Sequence, residues 1–190
     1  ECHDSDALYI LASPDGPRLP SLVSDSYVSD GSDDGIDHNG ANLVVERCRI
    51  LRFANEGLAL SNGGEVVVRD TYVADCDCAL EIGYGLPTVA TASNVLLRRN
   101  AVGVRSGDSS SSDDGEHRRS YASSLLVNAS LLSKNAVPHE VVRPETSDTD
   151  VAFVCVSVVE PTRPAVGDNN NDDDGDDAVS YTHLTLPTTY

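Results

Sequence analysis

The chain repeats a short apolar strand at a nearly constant interval, and this interval limits the folds open to it. The repeated strands begin at Gly35, Gly57, Ala79 and Gly103, so that successive units are 22, 22 and 24 residues apart. One coil of three short strands with their turns takes about 20–25 residues, and it buries its inner face only by stacking on the next coil. The repeat therefore predicts an all-β, right-handed parallel β-helix, a partial solenoid of about five coils.

Equivalent side chains of successive coils should form columns with a spacing of about 4.8 Å. Side chains alternate between the two faces of a strand, which separates inward from outward positions. The turns before the repeated strands carry Asn or Asp, residues that tolerate the left-handed backbone of tight turns. We predict one inward aliphatic column of Ile36, Leu58, Leu80 and Val104, others that include Val45, Val68, Cys48 and Thr71, and a turn column of Asp33, Asn55, Asp77 and Asn100.

The repeat does not extend over the whole chain, and its bounds divide the chain into four segments. Residues 1–20 form a truncated N-terminal coil or lead-in, and residues 21–160 form the β-helix. Residues 161–178 are an acidic linker that is too polar to bury a core, and we expect it to be disordered. Residues 179–190 match the translation of a transposase-type sequencing adapter, so we expect an artefactual tail. We accordingly expect no strand from residues 168–190 to pair with the solenoid.

The composition and the net charge limit the kinds of partner that the chain can bind. Apolar residues make up 39% of the chain without any Trp, and the net charge is −18. Such a charge repels a phosphate backbone, so we expect no nucleic-acid partner. No stretch of about 18 apolar residues is present, so we expect no membrane span. The five cysteines fit no zinc pattern. We interpret them first as free structural thiols, with a disulfide at Cys76 or Cys78 as the alternative.

Three segments carry a resemblance to known proteins: Ser32–Asp37, Cys78–Gly85 and Val102–Asp108. Together with the repeat, they resemble the pectate-lyase-like superfamily of right-handed β-helix proteins, and in particular β-helix modules of large extracellular bacterial proteins. The resemblance covers residues 21–135. It implies the fold and an extracellular or cell-surface location, and it implies no catalytic residues.

One outward column offers candidate binding residues. Strand alternation places Asp37, Glu81 and Arg105 on the outward face, and Glu81 and Arg105 on adjacent rungs should form a surface ion pair. Polysaccharide lyases of this fold bind calcium through outward carboxylates, for which Asp33, Asp34 and Asp37 are the candidates here. The turn itself should occupy Asp33, so we expect millimolar calcium to add little thermal stability. Calcium is the one cofactor that these residues suggest.

The remaining candidate site residues are two histidines and the arginines next to the second of them. His38 could act as a general base, but an inward, hydrogen-bonded His is the simpler interpretation. His117 and Arg118, next to Arg119, form the one basic patch visible in the sequence, which could bind an acidic glycan.

Three functions agree with these patterns. The first is a non-catalytic extracellular module that presents a flat face to a polysaccharide or to neighbouring domains of a larger protein. The second is part of a calcium-dependent polysaccharide lyase or of a glycoside hydrolase. The third is a structural spacer. We favour the first, because no acid–base pair and no complete calcium site emerges from the columns. If the chain is an enzyme, a polysaccharide lyase is the expected class.

Overall fold

The described residues form a three-sided solenoid of short parallel strands. The computed structural model of the protein describes residues 5–13, 19–107, 122–142, 149–159 and 182–183. These ranges contain nineteen strands and no helix, and hence no helix long and apolar enough to cross a membrane. From β1 to β18, consecutive strands belong to different sheets, so the chain visits three sheets in turn and then starts the next coil.

Each sheet contains one strand from each coil. Sheet 1 is formed by β1 (Leu8–Leu11), β4 (Ile36–Asn39), β7 (Glu56–Ser61), β10 (Cys78–Ile82), β13 (Val102–Ser106) and β16 (Val137–Val141). Sheet 2 is formed by β2 (Ser21–Ser24), β5 (Leu43–Glu46), β8 (Glu65–Arg69), β11 (Val89–Ser93), β14 (Ser124–Asn128) and β17 (Asp150–Val154). Sheet 3 is formed by β3 (Tyr27–Gly31), β6 (Arg49–Phe53), β9 (Tyr72–Ala74), β12 (Leu96–Arg98), β15 (Leu131–Ser133) and β18 (Ser157–Val159), followed by β19 (Thr182–His183).

The predicted fold is confirmed. Five turns connect the six rungs of sheet 1, and the strands of the three sheets are parallel from β1 to β18. Ile36, Leu58, Leu80 and Val104 pair on successive rungs, and each is fully buried. Full burial of one such side chain is worth about 1.5–3 kcal/mol. Val45 and Val68 form a second buried column in sheet 2.

The small residues that mark the repeat have a steric cause. A Cβ at Gly57 would lie 2.3 Å from Cγ1 of Val73 and 3.0 Å from the carbonyl oxygen of Ala79. A Cβ at Gly35 would lie 2.6 Å from the carbonyl oxygen of Gly57. Adjacent rungs therefore approach too closely for a larger side chain at these positions. The same small residue recurs because each coil meets the same neighbour.

The predicted left-handed turn column lies at other positions. Asp33, Asn55 and Asp77 stack as expected, with Asn55 Nδ2 donating to Asp33 Oδ1 at 3.3 Å, but they do not have positive φ. Positive φ occurs instead in two other columns. One lies between sheets 2 and 3 and contains Asp25, Arg47, Asp70, Asn94, Ala129 and Cys155, and the other ends the sheet 3 strands and contains Asp30, Arg52, Asp75, Arg99 and Lys134.

These left-handed turns also divide two stretches of the sequence that are rich in apolar residues. Residues 89–97 form two strands, β11 and β12, separated by Asn94 at φ 51°. Residues 151–159 add strands to one further coil, and Cys155 at φ 53° divides them between β17 and β18.

One expectation for the C-terminal region is wrong. Thr182 and His183 form β19, which pairs antiparallel with Val158 and Ser157 of β18. The last strand of sheet 3 offers unpaired backbone groups at its open edge, and an extended segment can pair with them irrespective of its side chains. The segment 161–178 lies outside the described residues, and the origin assigned to residues 179–190 stays a prediction.

Candidate functional site

The outward face of sheet 1 brings together most of the predicted site residues. Asp37, Ala59, Glu81 and Arg105 pair on successive rungs, as expected, and the column continues to Tyr9 on the first rung and Glu140 on the last. Polar or ionisable side chains therefore occupy this column on five of the six rungs, and Ala59 occupies it on the sixth.

Arg105 is the centre of an ionic cluster on this face. Its guanidinium contacts Glu56 at 3.2 Å, Glu81 at 3.1 Å, Asp77 at 3.1 Å and Glu140 at 2.8 Å. The predicted pair of Glu81 and Arg105 is present, but it is buried and not at the surface, since each residue is only 8% exposed. The reason is that Arg105 lies across several rungs among carboxylates from β7, β10 and β16. Removing one partner of such a buried pair costs far more than breaking a surface pair.

The cluster keeps Arg105 charged. Burial alone lowers the pKa of Arg105, but the hydrogen bonds that its guanidinium donates to Glu140, Asp77 and Glu81 outweigh burial and raise the pKa. A guanidinium held in this way is a poor base, since these carboxylates favour its charged form. The arrangement therefore disfavours a lyase that uses Arg105 as its base.

Glu56 and Asp34 form a carboxyl pair that the sequence did not predict. Burial, the negative charge of Glu81 and a hydrogen bond to Asp34 raise the pKa of Glu56 to about 10. Glu56 is therefore a neutral acid near pH 7, and its hydroxyl donates to the Asp34 carboxylate. Burial also raises the pKa of Asp34, against the hydrogen bonds from Glu56. The Glu56 backbone N–H donates to Asp34 Oδ1 at 3.0 Å and fixes the pair.

Next to this pair the face forms an open groove of about 380 Å³. Tyr9, 55% exposed, lies at one end, and the Asn39 side chain donates a hydrogen bond to its hydroxyl. Carboxylates, amides and phenol groups alternate along the groove, so it offers acceptors and donors at several rungs. We call it the acidic groove; its lining is Tyr9, Asp34, Asp37, Asn39, Asn55, Glu56, Ala59, Leu60, Ser61, Asn62, Glu81, Ile82 and Tyr84.

The three calcium candidates do not share one place. The carboxyl groups of Asp33 and Asp34 lie within 4.8 Å of each other and of Asp6, and Asp37 is not part of that group. Asp34 already accepts hydrogen bonds from Glu56, and Asp33 accepts one from Asn55. The small calcium response expected from the sequence stays a prediction.

His38 and His139 pack against other parts of the solenoid, which indicates a structural role for both. His38 is fully buried, its Nε2 donates to the Ala41 carbonyl, and burial lowers its pKa. The expected inward, hydrogen-bonded His is therefore confirmed. His139 on β16 continues the column of Ile36, Leu58, Leu80 and Val104, which is not the column of His38, and it packs edge-on against Phe153 with ring centroids 5.3 Å apart. His117, Arg118 and Arg119 lie outside the described residues.

The cysteines of the described ranges are free thiols. Cys48, Cys76 and Cys78 are buried and Cys155 is exposed. Burial raises the pKa of Cys76 and of Cys78, so both remain protonated and behave as small apolar side chains. The interpretation as free thiols is confirmed for these four residues, and a buried, structural position is confirmed for Cys48, Cys76 and Cys78.

A family model described as the right handed beta helix region matches residues 19–114. The chain belongs to the right-handed β-helix family. The match covers about half of the chain and includes Asp34, Glu56 and Glu81. A search of curated proteins and a search of solved structures gave no match. The pectate-lyase-like superfamily that the sequence resembles is consistent with membership of this β-helix family.

Proposed function

We propose that the chain is a non-catalytic, extracellular β-helix module that binds a neutral polysaccharide along the acidic groove. The observation that carries this proposal is the line of hydroxyl, amide and carboxylate groups on successive rungs of sheet 1. Carboxylates accept hydrogen bonds from sugar hydroxyls, and an exposed tyrosine offers a flat ring together with a polar tip.

Charge selects the ligand class. The turns and strands that form the sheet 1 face carry eight carboxyl groups and one guanidinium. An anionic chain would be repelled along its whole length, whereas an uncharged chain would not. These turns and strands comprise residues 5–11, 32–39, 55–61, 77–82, 101–106 and 136–142.

Affinity electrophoresis tests this proposal with a panel of soluble neutral polysaccharides, namely galactomannan, xyloglucan and a mixed-linkage β-glucan. We expect at least one of them to retard the protein, and the change Tyr9→Ala to weaken the retardation. Tyr27→Ala is the matched control, because Tyr27 is 59% exposed on sheet 3. Equal loss in both variants, or no retardation by any member of the panel, would contradict the proposal.

A glycoside hydrolase is the second candidate, and the Glu56–Asp34 pair favours it. A carboxylic acid that stays protonated at neutral pH can donate its proton to a glycosidic oxygen, and a nearby carboxylate can assist. If the module were such an enzyme, it would release reducing ends from a polysaccharide that it binds, and Glu56→Gln would abolish that release without abolishing retardation. Release that is absent in the wild-type protein supports the non-catalytic module.

A further inference from the structure

The outward face of sheet 2 carries a column of uncharged, mostly apolar side chains. Strand pairing places one of them on each rung, halfway along the strand, and three are exposed: Leu22 by 61%, Val67 by 37% and Leu126 by 38%. They point away from the core, so core packing does not require them to be apolar. A preference for strands explains valine and threonine there, but not leucine. We call this column the apolar stripe; its members are Leu22, Val44, Val67, Thr91, Leu126 and Ala152.

Charge is sparse on either side of the apolar stripe. The six strands of sheet 2 contain three carboxylates and one guanidinium, from Glu46, Glu65, Asp150 and Arg69, in a protein whose net charge is −18. The sheet 1 face, with eight carboxyl groups and one guanidinium, is far more acidic. Two molecules of this protein repel each other over most of their surface, and they approach through sheet 2 at a lower electrostatic cost than through sheet 1.

The charges of sheet 2 are also ordered along the strands. Of these six strands, β8 alone carries a charge at each end, with Glu65 at its start and Arg69 at its end. Glu46 ends β5, and the uncharged Asn42 precedes the start of that strand. Asp150 starts β17, which ends with an apolar residue, Val154. No strand of this sheet therefore has the same sign of charge at both ends.

We propose that a second copy of this chain covers the apolar stripe, so that two solenoids pack through their sheet 2 faces with parallel axes. A two-fold axis parallel to the solenoid axis brings each rung opposite the same rung of the second copy, and it reverses the strand direction. The apolar stripe then meets itself, with Leu126 against Leu126 of the second copy. The start of each strand meets the end of its equivalent, so Glu65 lies opposite Arg69 of the second copy, and this pair occurs twice.

This arrangement matches charge as well as apolar surface. Glu46 lies opposite Asn42 of the second copy, and Asp150 lies opposite Val154, so no like charges meet. Arg69 contacts Glu46 of its own chain, but its side chain is 52% exposed and can accommodate a second carboxylate. Pairs of this kind at the rim of an interface fix its register and orientation more than they add to its affinity.

The size of the face limits the strength of the dimer. Six rungs of strands with up to five residues form a face of about 29 Å by about 16 Å. The dimer therefore buries about 1,000 Å² in total, at the low end for specific interfaces. We expect a reversible dimer with a dissociation constant on the order of 100 μM, so that the monomer predominates at low micromolar concentration. Sheet 1 stays uncovered in both copies, and the acidic groove remains accessible.

Sedimentation equilibrium of the full chain, at about 10 to 500 μM in ~0.15 M NaCl, tests the proposal. We expect a monomer–dimer equilibrium. Leu126→Lys should weaken the dimer by about tenfold or more, because two lysines would face each other within an apolar contact. Leu11→Lys is the matched control, since Leu11 is 63% exposed on sheet 1. Both variants change the net charge equally, so general repulsion cannot separate them. Circular dichroism establishes that each variant is folded.

Charge reversal gives a second measurement, which is specific to the parallel arrangement. Glu65→Lys and Arg69→Glu each place like charges opposite each other across the interface, and each should weaken the dimer. The two changes together restore opposite charges and should recover much of the lost association. The two residues lie at opposite ends of β8, about 13 Å apart, so they cannot pair within one chain. Recovery therefore reports a contact between copies.

Several results would overturn the proposal. These are a wild-type chain that stays monomeric at the highest concentration, a dimer that survives Leu126→Lys, and a loss that is equal in Leu11→Lys. A charge-reversed double variant that associates no better than either single variant, or association into oligomers larger than a dimer, would also contradict it. A monomeric wild-type chain that binds phosphatidylcholine vesicles, with binding lost in Leu126→Lys, would assign the apolar stripe to a lipid surface instead. None of these results depends on whether the acidic groove binds a polysaccharide.

Discussion

At the scale of single residues, Glu56 and Arg105 show how stacking creates chemistry that neither residue has alone. Arg105 is surrounded by four carboxyl groups, and one of them, the protonated Glu56, is also the donor to Asp34. Five carboxyl groups and one guanidinium cannot all be ionised in a buried site at low cost. The shared proton on Glu56 reduces that repulsion, and it makes the stability of the fold depend on pH.

The first prediction concerns this proton. The pKa of Glu56 rises from 4.5 to about 10 in the folded chain. The proton therefore stabilises the fold fully below the unfolded pKa, and this stabilisation is lost as the pH rises towards 10. Glu56→Gln keeps a neutral donor to Asp34. Relative to wild type, we expect it to gain stability from pH 5 to pH 8, by up to about 1.4 kcal/mol per pH unit.

Urea unfolding at pH 5, 6, 7 and 8 measures this difference. Glu65→Gln serves as the control, because Glu65 is exposed on sheet 2. A difference between Glu56→Gln and wild type that stays constant over this range would show that Glu56 is already ionised in the folded protein.

At the scale of the element, the turns between sheets 3 and 1 contain a ladder of buried amides. The Asn100 Oδ1 accepts from the Cys76 backbone N–H at 3.0 Å, and its Nδ2 donates to Asn135 Oδ1 at 3.0 Å. The Asn135 Nδ2 donates in turn to the Leu97 carbonyl at 2.9 Å. Each amide satisfies backbone groups of the neighbouring coil, which the parallel ladders leave unpaired at the turn.

The second prediction tests that ladder. Asn100→Ala leaves the Cys76 N–H without its acceptor in a buried turn and removes one of the two hydrogen bonds that Asn135 Oδ1 accepts from Asn100. We therefore expect a loss of about 1–3 kcal/mol. Asn100→Asp keeps the size and the acceptor but removes the Nδ2 donor, and it should also destabilise the fold. Ser124→Ala, at an exposed position of sheet 2, is the control and should change little. Chemical denaturation measures the free energy of unfolding of each variant. An unchanged free energy for Asn100→Ala would mean that water replaces the hydrogen bonds of the amide.

The fold was predictable from the sequence because its signal is periodic. Ile36 and Leu58 recur at the coil length, and Gly35 and Gly57 recur because adjacent coils approach closely. The left-handed turns were not predictable in the same way. Arg47, for example, has no preference for φ 53°, and it is held there by a column in which its guanidinium contacts Asp25 at 2.7 Å.

The candidate site was predictable only in part, for a geometric reason. Alternation places Asp37, Glu81 and Arg105 on one face, and the structure agrees. Strand alternation places Glu56 on the same, inward face as Leu58, so the sequence did not suggest it as a site residue. Glu56 is the first residue of β7, however, and its side chain reaches Arg105 two rungs away.

At the scale of the whole molecule, the chain carries an excess of negative charge. The acidic groove concentrates much of that excess on one side of the solenoid. Exposed pairs such as Arg47–Asp25 and Arg99–Asp75 link neighbouring rungs at the turns. Such pairs contribute about 0–1 kcal/mol each. Repulsion among the remaining carboxylates opposes them.

The third prediction weighs these two effects by adding salt. Salt screens the attraction of the exposed pairs and the repulsion among the excess carboxylates alike. With a net charge of −18 the repulsive terms outnumber the attractive ones, and they are removed when the chain expands. We therefore expect the midpoint of thermal unfolding at pH 7 to rise between 20 and 500 mM NaCl by about 3 °C or more, which corresponds to roughly 1 kcal/mol for a chain of this size.

Measuring the same salt series near pH 4.3, the isoelectric point of the sequence, separates screening from a general effect of salt on apolar burial. Most of the excess charge is absent there, so the rise should disappear if repulsion causes it, and it should persist if sodium chloride merely strengthens burial. A midpoint of thermal unfolding that falls with added salt at pH 7 would contradict this prediction. It would mean that the ion pairs between neighbouring rungs stabilise the solenoid by more than the carboxylates of the acidic groove destabilise it.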